Sequence, residues 1–242
     1  TRTTSSAASD VYKRQPLLRA RLEQRIRRRG WRVRSVHAVE RCRIPLDAGL
    51  PTEPDGVVAI GGGSSMDLGK AVALLAGSGG PLDQYDPLAG GAKRVQSVAP
   101  LIAVPTTSGT GSEVSVGFVI ILEDGRKLTF ASPHFVPKAA ICDPELTLDL
   151  PAMMTAATGM DAITHCIEAF LTPTINPPAD GVALDGLWRG WRHLPSAVKD
   201  GGDRDARWQM MMCSTEGAMS FIKGLGAVHA MSHAAGRIAR LN

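Results

Sequence analysis

The sequence has few aromatic residues, few cysteines and no long apolar segment, and each shortage excludes a class of protein. Aromatic residues make up only 5% of the 242 residues. The four cysteines are far apart and form no C-x-x-C pair, which excludes a disulfide framework and favours reduced thiols in the cytoplasm. No apolar run approaches the roughly 18–20 residues that a membrane-spanning helix needs. A hydrophobic fraction of 44% with 26 glycines is typical of a globular α/β protein.

Positive charge is concentrated near the N-terminus. Residues 1–45 hold 13 of the 27 Lys and Arg but only 3 of the 23 Asp and Glu. Such a basic arm can bind nucleic acid. However, Leu18, Leu22 and Ile26 recur every four residues, which predicts an amphipathic helix over 17–29 with its arginines in solvent. No aromatic residues interleave with these arginines to stack on bases, so we expect no nucleic-acid partner. Residues 1–15 are polar and aperiodic, and we expect them to be a non-native segment.

Strands and helices alternate up to about residue 150, and only helices follow. We predict strands at 31–39, "DGVVAIGGG", "PLIAVP", "GFVIIL" and "KAAICDP", a helix over 64–77 and a turn at "EDGRK". After Pro151 we predict helices at 152–171, 179–193, 203–222 and 226–238, with prolines separating the first two. The pattern predicts a mainly parallel α/β domain over 16–150 and an all-helical domain over 151–242.

A glycine-rich stretch, "AIGGGSSMDLGK", links a predicted buried strand to a predicted helix. It is not a Walker loop, because Ser64 and Ala71 stand where that motif needs Gly and Ser or Thr. It is not a strict G-x-G-x-x-G motif either, because Met66 replaces the third glycine. Three glycines before a helix nevertheless let backbone N–H groups approach a phosphate. Taken alone, the stretch is equally compatible with a tight turn that binds nothing. Ser64 and Asp67 have the spacing of a capping box.

A second loop, "VPTTSGTGSEV", follows another predicted buried strand. Because the carboxyl ends of parallel strands meet at one edge of a sheet, both loops are expected to open there, where ligands bind in open α/β folds. The loop offers five hydroxyl groups and two glycines. A plain Ser/Thr/Gly linker is the alternative, but such linkers rarely join two buried strands. The two loops together favour a dinucleotide site.

Two pairs of polar residues in the predicted helical domain have metal-ligand spacing. Asp161 and His165 are four residues apart, as are His229 and His233, so each pair lies on one helix face. Ala230 stands where the metalloprotease motif H-E-x-x-H needs Glu, so that class is excluded. Side chains from separate helices can converge on one divalent ion. Hydrogen-bonded core histidines are the alternative reading of the same residues.

Five ordered stretches, "GGGSSMDLGK", "PTTSGTGSE", "ICDPELTLDLP", "ATGMDAITHCIEAF" and "GLGAVHAMSH", resemble the iron-containing (group III) alcohol dehydrogenase family. The resemblance covers about residues 55–242. It implies a nucleotide-binding α/β domain followed by an all-α metal-binding domain, an architecture shared with dehydroquinate synthase. It also implies hydride transfer between a small alcohol or aldehyde and NAD or NADP, with Fe(II) or Zn(II) as the metal.

The resemblance implies a role for individual residues of this chain. The cofactor-binding positions are Gly61, Gly62, Gly63, Ser64, Asp67, Thr106, Thr107, Thr110 and Lys127. The implied metal ligands are Asp161, His165 and His229, and His233 is the implied proton-handling residue near the substrate.

The sequence departs from the family pattern in three places that matter for function. The Gly-rich first strand–turn–helix of the family has no counterpart, so we expect the first domain to be incomplete at its N-terminus. The family's fourth ligand, a further histidine, is expected by spacing to fall beyond Asn242, so we expect the second domain to be incomplete at its C-terminus. The acidic residue that selects NAD has no clear counterpart, since only His37 or Ala38 occupies that region. The choice between NAD and NADP therefore stays open.

Two other functions stay open beside the dehydrogenase. One is a dehydroquinate-synthase-like lyase, and the other is a non-catalytic nucleotide-binding fragment. For the dehydrogenase we expect a small-molecule substrate and no membrane partner, and we leave a homodimer open.

Overall fold

The computed structural model describes residues 43–44, 55–122 and 127–239. The helix expected over 17–29, the strand expected over 31–39 and most of the turn expected at 123–127 lie outside these residues. The non-native character of residues 1–15 likewise stays a prediction.

Six described strands form two three-stranded sheets. One sheet has the order β1 (Arg43–Ile44), β4 (Gly117–Leu122) and β5 (Lys127–Ala131). The other has the order β2 (Val57–Gly61), β3 (Leu101–Pro105) and β6 (Ala139–Ala140). Three of the four strand pairs are parallel, which confirms the mainly parallel α/β prediction. The exception is the antiparallel pair of β4 and β5. Strand β5 was not predicted, and only two residues of the predicted strand "KAAICDP" form a strand.

Helix α1 (Gly63–Ser78) packs against both sheets. It contributes Met66 and Ala73 to one core, with Leu101 of β3, and Leu74 to a second core, with Phe118 of β4. These side chains are almost completely buried. Burying large apolar side chains stabilises each contact by about 1.5–3 kcal/mol per side chain. The packing holds the start of α1 next to the ends of β2 and β3.

Four long helices follow, α2 (Ala152–Leu171), α3 (Pro177–Lys199), α4 (Arg204–Ser220) and α5 (Ala227–Ala239). The bounds of α2 are those predicted. Helix α3 begins earlier than predicted because the Asn176 side chain accepts a hydrogen bond from the Ala179 N–H, and prolines fit the first helical turn. It also continues through Pro195, since Leu194 and Ala197 are buried in the core between α2 and α4.

The change from strands to helices falls at Pro151, as predicted, but the division into two domains there stays a prediction. Within the described ranges, none of the helices has the length and apolar character to span a membrane.

Candidate active site

Two loops open at the same edge of the β2–β3 sheet. The first loop (61–63) comprises the last residue of β2, Gly62 and the first residue of α1, and the second loop (106–116) follows β3. Gly61 is directly opposite Pro105 in the parallel register, and the Thr106 N–H donates to the Gly61 carbonyl over 2.9 Å. The expectation that the two loops meet at one edge is therefore confirmed.

The two loops are so close that threonine side chains of the second loop occupy the space that side chains at Gly62 and Gly63 of the first loop would need. A Cβ atom on Gly62 would lie 3.3 Å from Thr107 Cγ2, and one on Gly63 would lie 2.5 Å from Thr110 Cγ2. Real Cβ atoms do not come within 3.0 Å of other heavy atoms. Helix α1 begins at this contact, so its free N–H groups face the space where the loops meet.

Asp67 joins the first helix to the second loop. Its carboxylate accepts hydrogen bonds from Ser112 Oγ over 2.7 Å and from the Val119 N–H over 3.0 Å. Burial raises the pKa of Asp67, while these hydrogen bonds and the charges of Lys70 and Lys127 oppose the rise. The predicted capping box is wrong, because Gly62 is the N-cap of α1 and no side chain caps it. The Asp67 carboxylate instead holds the loop and β4 in place.

Lys70 also attaches the second loop to α1, and it was not predicted as a functional residue. Its buried ammonium group donates to the Ser115 carbonyl over 2.8 Å, to Ser115 Oγ over 2.9 Å and to the Gly117 carbonyl over 2.8 Å. Burial lowers the pKa of Lys70 to about 8, and the carboxylates of Asp67 and Glu113 oppose the fall. The three hydrogen bonds attach the end of the second loop to α1. The sequence carried only a weak signal, a lysine one helical turn after Asp67.

Two other predicted cofactor residues, Ser64 and Lys127, have exposed side chains. Ser64 is exposed in the first turn of α1, and the exposed Lys127 begins β5, with its charge acting on Asp67. Their contacts with a cofactor stay predictions.

Asp161, His165 and His229 form what we call the acid–histidine cluster. One potential ligand atom from each lies within 4.8 Å of the others. Asp161 Oδ1 is 3.9 Å from His165 Nε2 and 3.5 Å from His229 Nε2. The two imidazole rings are stacked with centroids 4.5 Å apart. Asp161 and His165 come from α2 and His229 from α5, so the predicted convergence of separate helices is confirmed.

The donor atoms of the cluster suit a divalent metal ion. His165 and His229 are buried, and His165 Nδ1 has no hydrogen-bond partner among the described residues. Burial lowers the pKa of His165, an effect that Asp161 opposes. Hydrogen bonding to Asp161 raises the pKa of His229, with burial opposing and Glu168 reinforcing the rise. Two imidazoles and one carboxylate are a ligand set that suits Zn(II) or Fe(II).

Glu168 contacts the cluster and was not predicted as a functional residue. It accepts hydrogen bonds from the Val228 N–H over 2.6 Å and from the His229 N–H over 3.3 Å, and it is bonded to Nδ1 of the His229 ring. A signal did exist, because positions 161, 165 and 168 lie on one face of a helix. His233 is in α5, one turn beyond His229, and its proposed proton-handling role stays a prediction.

The second loop also packs against α2, which carries Asp161 and His165 of the cluster, and against α4. A Cβ atom on Gly109 would lie 2.8 Å from Thr158 Cβ of α2, and Glu113 Oε1 accepts a hydrogen bond from Thr215 Oγ1 of α4 over 3.1 Å. Burial lowers the pKa of His165, and the Gly109 backbone is among the groups that oppose this fall. The loop at the sheet edge and the acid–histidine cluster are therefore neighbours.

Both the α/β part and the helical part of the chain are similar to known proteins. The family model for iron-containing alcohol dehydrogenase matches residues 40–144, and the model for the C-terminal part of the Fe-containing alcohol dehydrogenase family matches residues 155–240. The 4-hydroxybutyrate dehydrogenase of Cupriavidus necator is 64% identical over 183 residues, which are 75% of this chain and 48% of that protein. The NAD-dependent methanol dehydrogenase of Bacillus methanolicus is 38% identical over 191 residues, covering 77% of this chain and 49% of that protein.

A solved structure is also similar to this chain. The sulfoacetaldehyde reductase of Bifidobacterium kashiwanohense, in complex with NAD+, is 34% identical with a TM-score of 0.71, covering 76% of this chain and 49% of that one. The chain thus spans about half the length of the relatives that it matches. These matches, together with the loops and the acid–histidine cluster, show that the chain belongs to the iron-containing alcohol dehydrogenase family.

Proposed function

We propose that the protein formed by this chain is a metal-dependent alcohol dehydrogenase that transfers a hydride between a small alcohol or aldehyde and NAD. The observation that carries the proposal is the acid–histidine cluster next to a loop that opens at the sheet edge. NAD is favoured over NADP because the methanol dehydrogenase relative is NAD-dependent and the reductase relative was solved with NAD+.

In this proposal Asp161, His165 and His229 hold Fe(II) or Zn(II). When bound, the ion acts as a Lewis acid on the oxygen of the alcohol or carbonyl group. The chain supplies a site that is partly closed to water, since both histidines are buried and the second loop packs on α2. His233, one turn after His229, is proposed to carry the alcohol proton.

The dinucleotide is proposed to bind where the first and second loops meet. Glycines in the first loop allow the phosphates of the dinucleotide to approach the backbone, and the N-terminus of α1 favours the negative charge of these phosphates. The hydroxyl groups of Thr106, Thr107 and Thr110 are available as hydrogen-bond partners, while Lys127 adds positive charge. Asp67 contributes indirectly, by holding the second loop through Ser112.

For the substrate we propose 4-hydroxybutyrate, because the relative that acts on it shares 64% of the aligned residues. Hydride removal from its hydroxyl-bearing carbon gives the corresponding aldehyde acid. We also propose a cytoplasmic location, since Cys142, Cys166 and Cys213 are free thiols.

Because the chain spans about half the length of its relatives, the proposal is tested with the full-length protein that contains this chain. This protein is loaded with Fe(II) without oxygen, and NADH formation is measured with 4-hydroxybutyrate or 1-butanol. We expect formation that stops on chelation, is lost in Asp161→Asn and is faster with 4-hydroxybutyrate. Metal-loaded full-length protein that binds NAD but transfers no hydride to or from either substrate pair would contradict the proposal and favour the non-catalytic alternative. Equal rates with the two alcohols would overturn the substrate assignment alone.

A further inference from the structure

We propose that Glu168 is a positioning residue for the metal site: it holds His229 in the tautomer and orientation that present Nε2 to the ion. This inference rests on the proposed function only in requiring that the acid–histidine cluster binds a metal. Glu168 lies three residues after His165 on α2, and the residue is only 6% exposed.

Three donors from a single turn of α5 converge on this carboxylate. Two are the backbone N–H groups of Val228 and His229, and the third is the ring nitrogen Nδ1 of His229. Helix α5 begins at Ala227, so both N–H groups belong to its first turn, where helical N–H groups have no partner within the helix. The carboxylate therefore fixes the backbone of the ligand residue as well as its ring.

The ring contact determines which nitrogen can bind a metal. A carboxylate accepts hydrogen bonds and cannot donate them, so the nitrogen facing Glu168 must carry the proton. The proton on Nδ1 leaves the lone pair of a neutral ring on Nε2, and this is the atom 3.5 Å from Asp161 Oδ1. The opposite tautomer would place two lone pairs against each other. A carboxylate bonded in this way also makes the imidazole a more basic ligand.

Gly226 shows that the space around the Glu168 carboxylate is closely filled. A Cβ atom there would lie 2.7 Å from Glu168 Oε1 and 3.1 Å from Glu168 Cδ. Alanine at position 226 must therefore displace the carboxylate without removing its charge. Gly226→Ala thus moves the Glu168 carboxylate while leaving its charge and its hydrogen-bonding atoms unchanged.

The test is a Zn(II) titration of the chain against a chelator, combined with the nitrogen NMR signals of the His229 ring in the Zn(II)-loaded state. Glu168→Gln keeps the size of the side chain, but only one of its two polar atoms, the amide oxygen, can accept hydrogen bonds. The three donors, which use both carboxylate oxygens, can therefore no longer all be satisfied. We expect a 10- to 100-fold loss of Zn(II) affinity, the range typical of outer partners of ligating histidines. We also expect the Nδ1 proton signal of His229 to be lost or shifted.

Gly226→Ala should lower Zn(II) affinity in the same direction but by less, and it serves as the main variant if Glu168→Gln does not fold. The matched controls are Glu145→Gln, an exposed carboxylate paired with Arg204, and Gly181→Ala, whose Cβ would meet nothing within 4 Å. Both controls should bind Zn(II) as the wild type does.

The outcomes separate this inference from the proposed function. A wild-type chain that binds no Zn(II) at the cluster would overturn the proposed metal site. A wild-type chain that binds one ion, together with Glu168→Gln and Gly226→Ala chains that bind it equally well with an unchanged Nδ1 signal, would overturn the role of Glu168 alone.

Discussion

At the two loops, a Cβ atom on Gly63 would collide with Thr110, whereas between α2 and α5 the three side chains of the acid–histidine cluster lie close together, and Glu168 contacts one of them. The close approach of the loops requires glycine, which has no side chain, at position 63, and the second loop is attached to α1 by the buried groups of Asp67 and Lys70. The cluster depends on ionisable side chains that are present, held on long helices. Different substitutions should therefore damage each half, and dinucleotide binding and metal binding should be separable.

The largest expected effect is on metal binding in His165→Ala. Removing one of three ligand atoms should weaken Zn(II) binding by more than about 100-fold, beyond the range for partners that only orient a ligand. NAD binding should change little, because the loops do not need this side chain. Chelator competition and NAD titration measure the two quantities. The exposed His134→Ala serves as the control, and equal losses of both affinities would show that the halves are not separable.

Gly111→Ala should affect both the loops and the helices, because Gly111 packs the second loop on α4, which shares a core with the cluster helix α2. Its φ of +61° is strained for alanine, and a Cβ atom would lie 2.1 Å from Ala218 Cβ of α4. The combined strain and overlap should cost about 2–4 kcal/mol of unfolding free energy. Denaturant unfolding measures that cost. An unchanged unfolding midpoint would mean that the second loop does not pack on α4 as described.

Gly63→Ala should sharpen the separation from the other side. The new Cβ would lie 2.5 Å from Thr110 Cγ2, so the two loops must move apart. We expect NAD binding to weaken about tenfold, which corresponds to 1.4 kcal/mol, with Zn(II) affinity unchanged. Parallel titrations with the two ligands measure this. Full NAD affinity in the variant would place the dinucleotide elsewhere.

The smallest expected effect concerns Glu216 of α4, which is outside both halves. Its Oε1 is 3.2 Å from Arg189 Nε, and its buried Oε2 has no hydrogen-bond partner in the described part of the chain. Burial raises the pKa of Glu216 to about 7, and Arg189 opposes the rise. Between the ordinary pKa of 4.5 and this value, the folded state binds a proton that the unfolded state does not. The contribution of Glu216 to stability therefore falls as pH rises through this window.

Glu216→Gln removes that titration. We expect the variant to gain on the order of 1 kcal/mol over the wild type at about pH 8, less than the full shift implies because the side chain is partly exposed and loses its attraction to Arg189. The difference should shrink as pH falls towards 4.5. Denaturant unfolding at several pH values measures it, while metal and NAD affinities should not change. A constant difference at every pH would contradict the explanation.

The parts of the site that followed from sequence are those set by local spacing. A four-residue spacing placed Asp161 and His165 on one helix face, and strand ends predicted that the loops would meet. The bonds that hold the site are remote in sequence, since Asp67 joins Ser112 across 45 residues and Glu168 joins the Val228 N–H across 60. No local pattern identifies such partners. The capping box at Asp67 was wrong for this reason, because the tertiary partner outweighed the local one.

X-ray absorption by the Zn(II)-loaded chain shows whether Asp161, His165 and His229 bind one ion. We expect a nearest shell of nitrogen and oxygen atoms at about 2.0–2.1 Å, with outer-shell scattering from two imidazole rings. That scattering should fall to one ring in His165→Ala. A sulfur shell at about 2.3 Å, or imidazole scattering that does not change in the variant, would contradict this expectation.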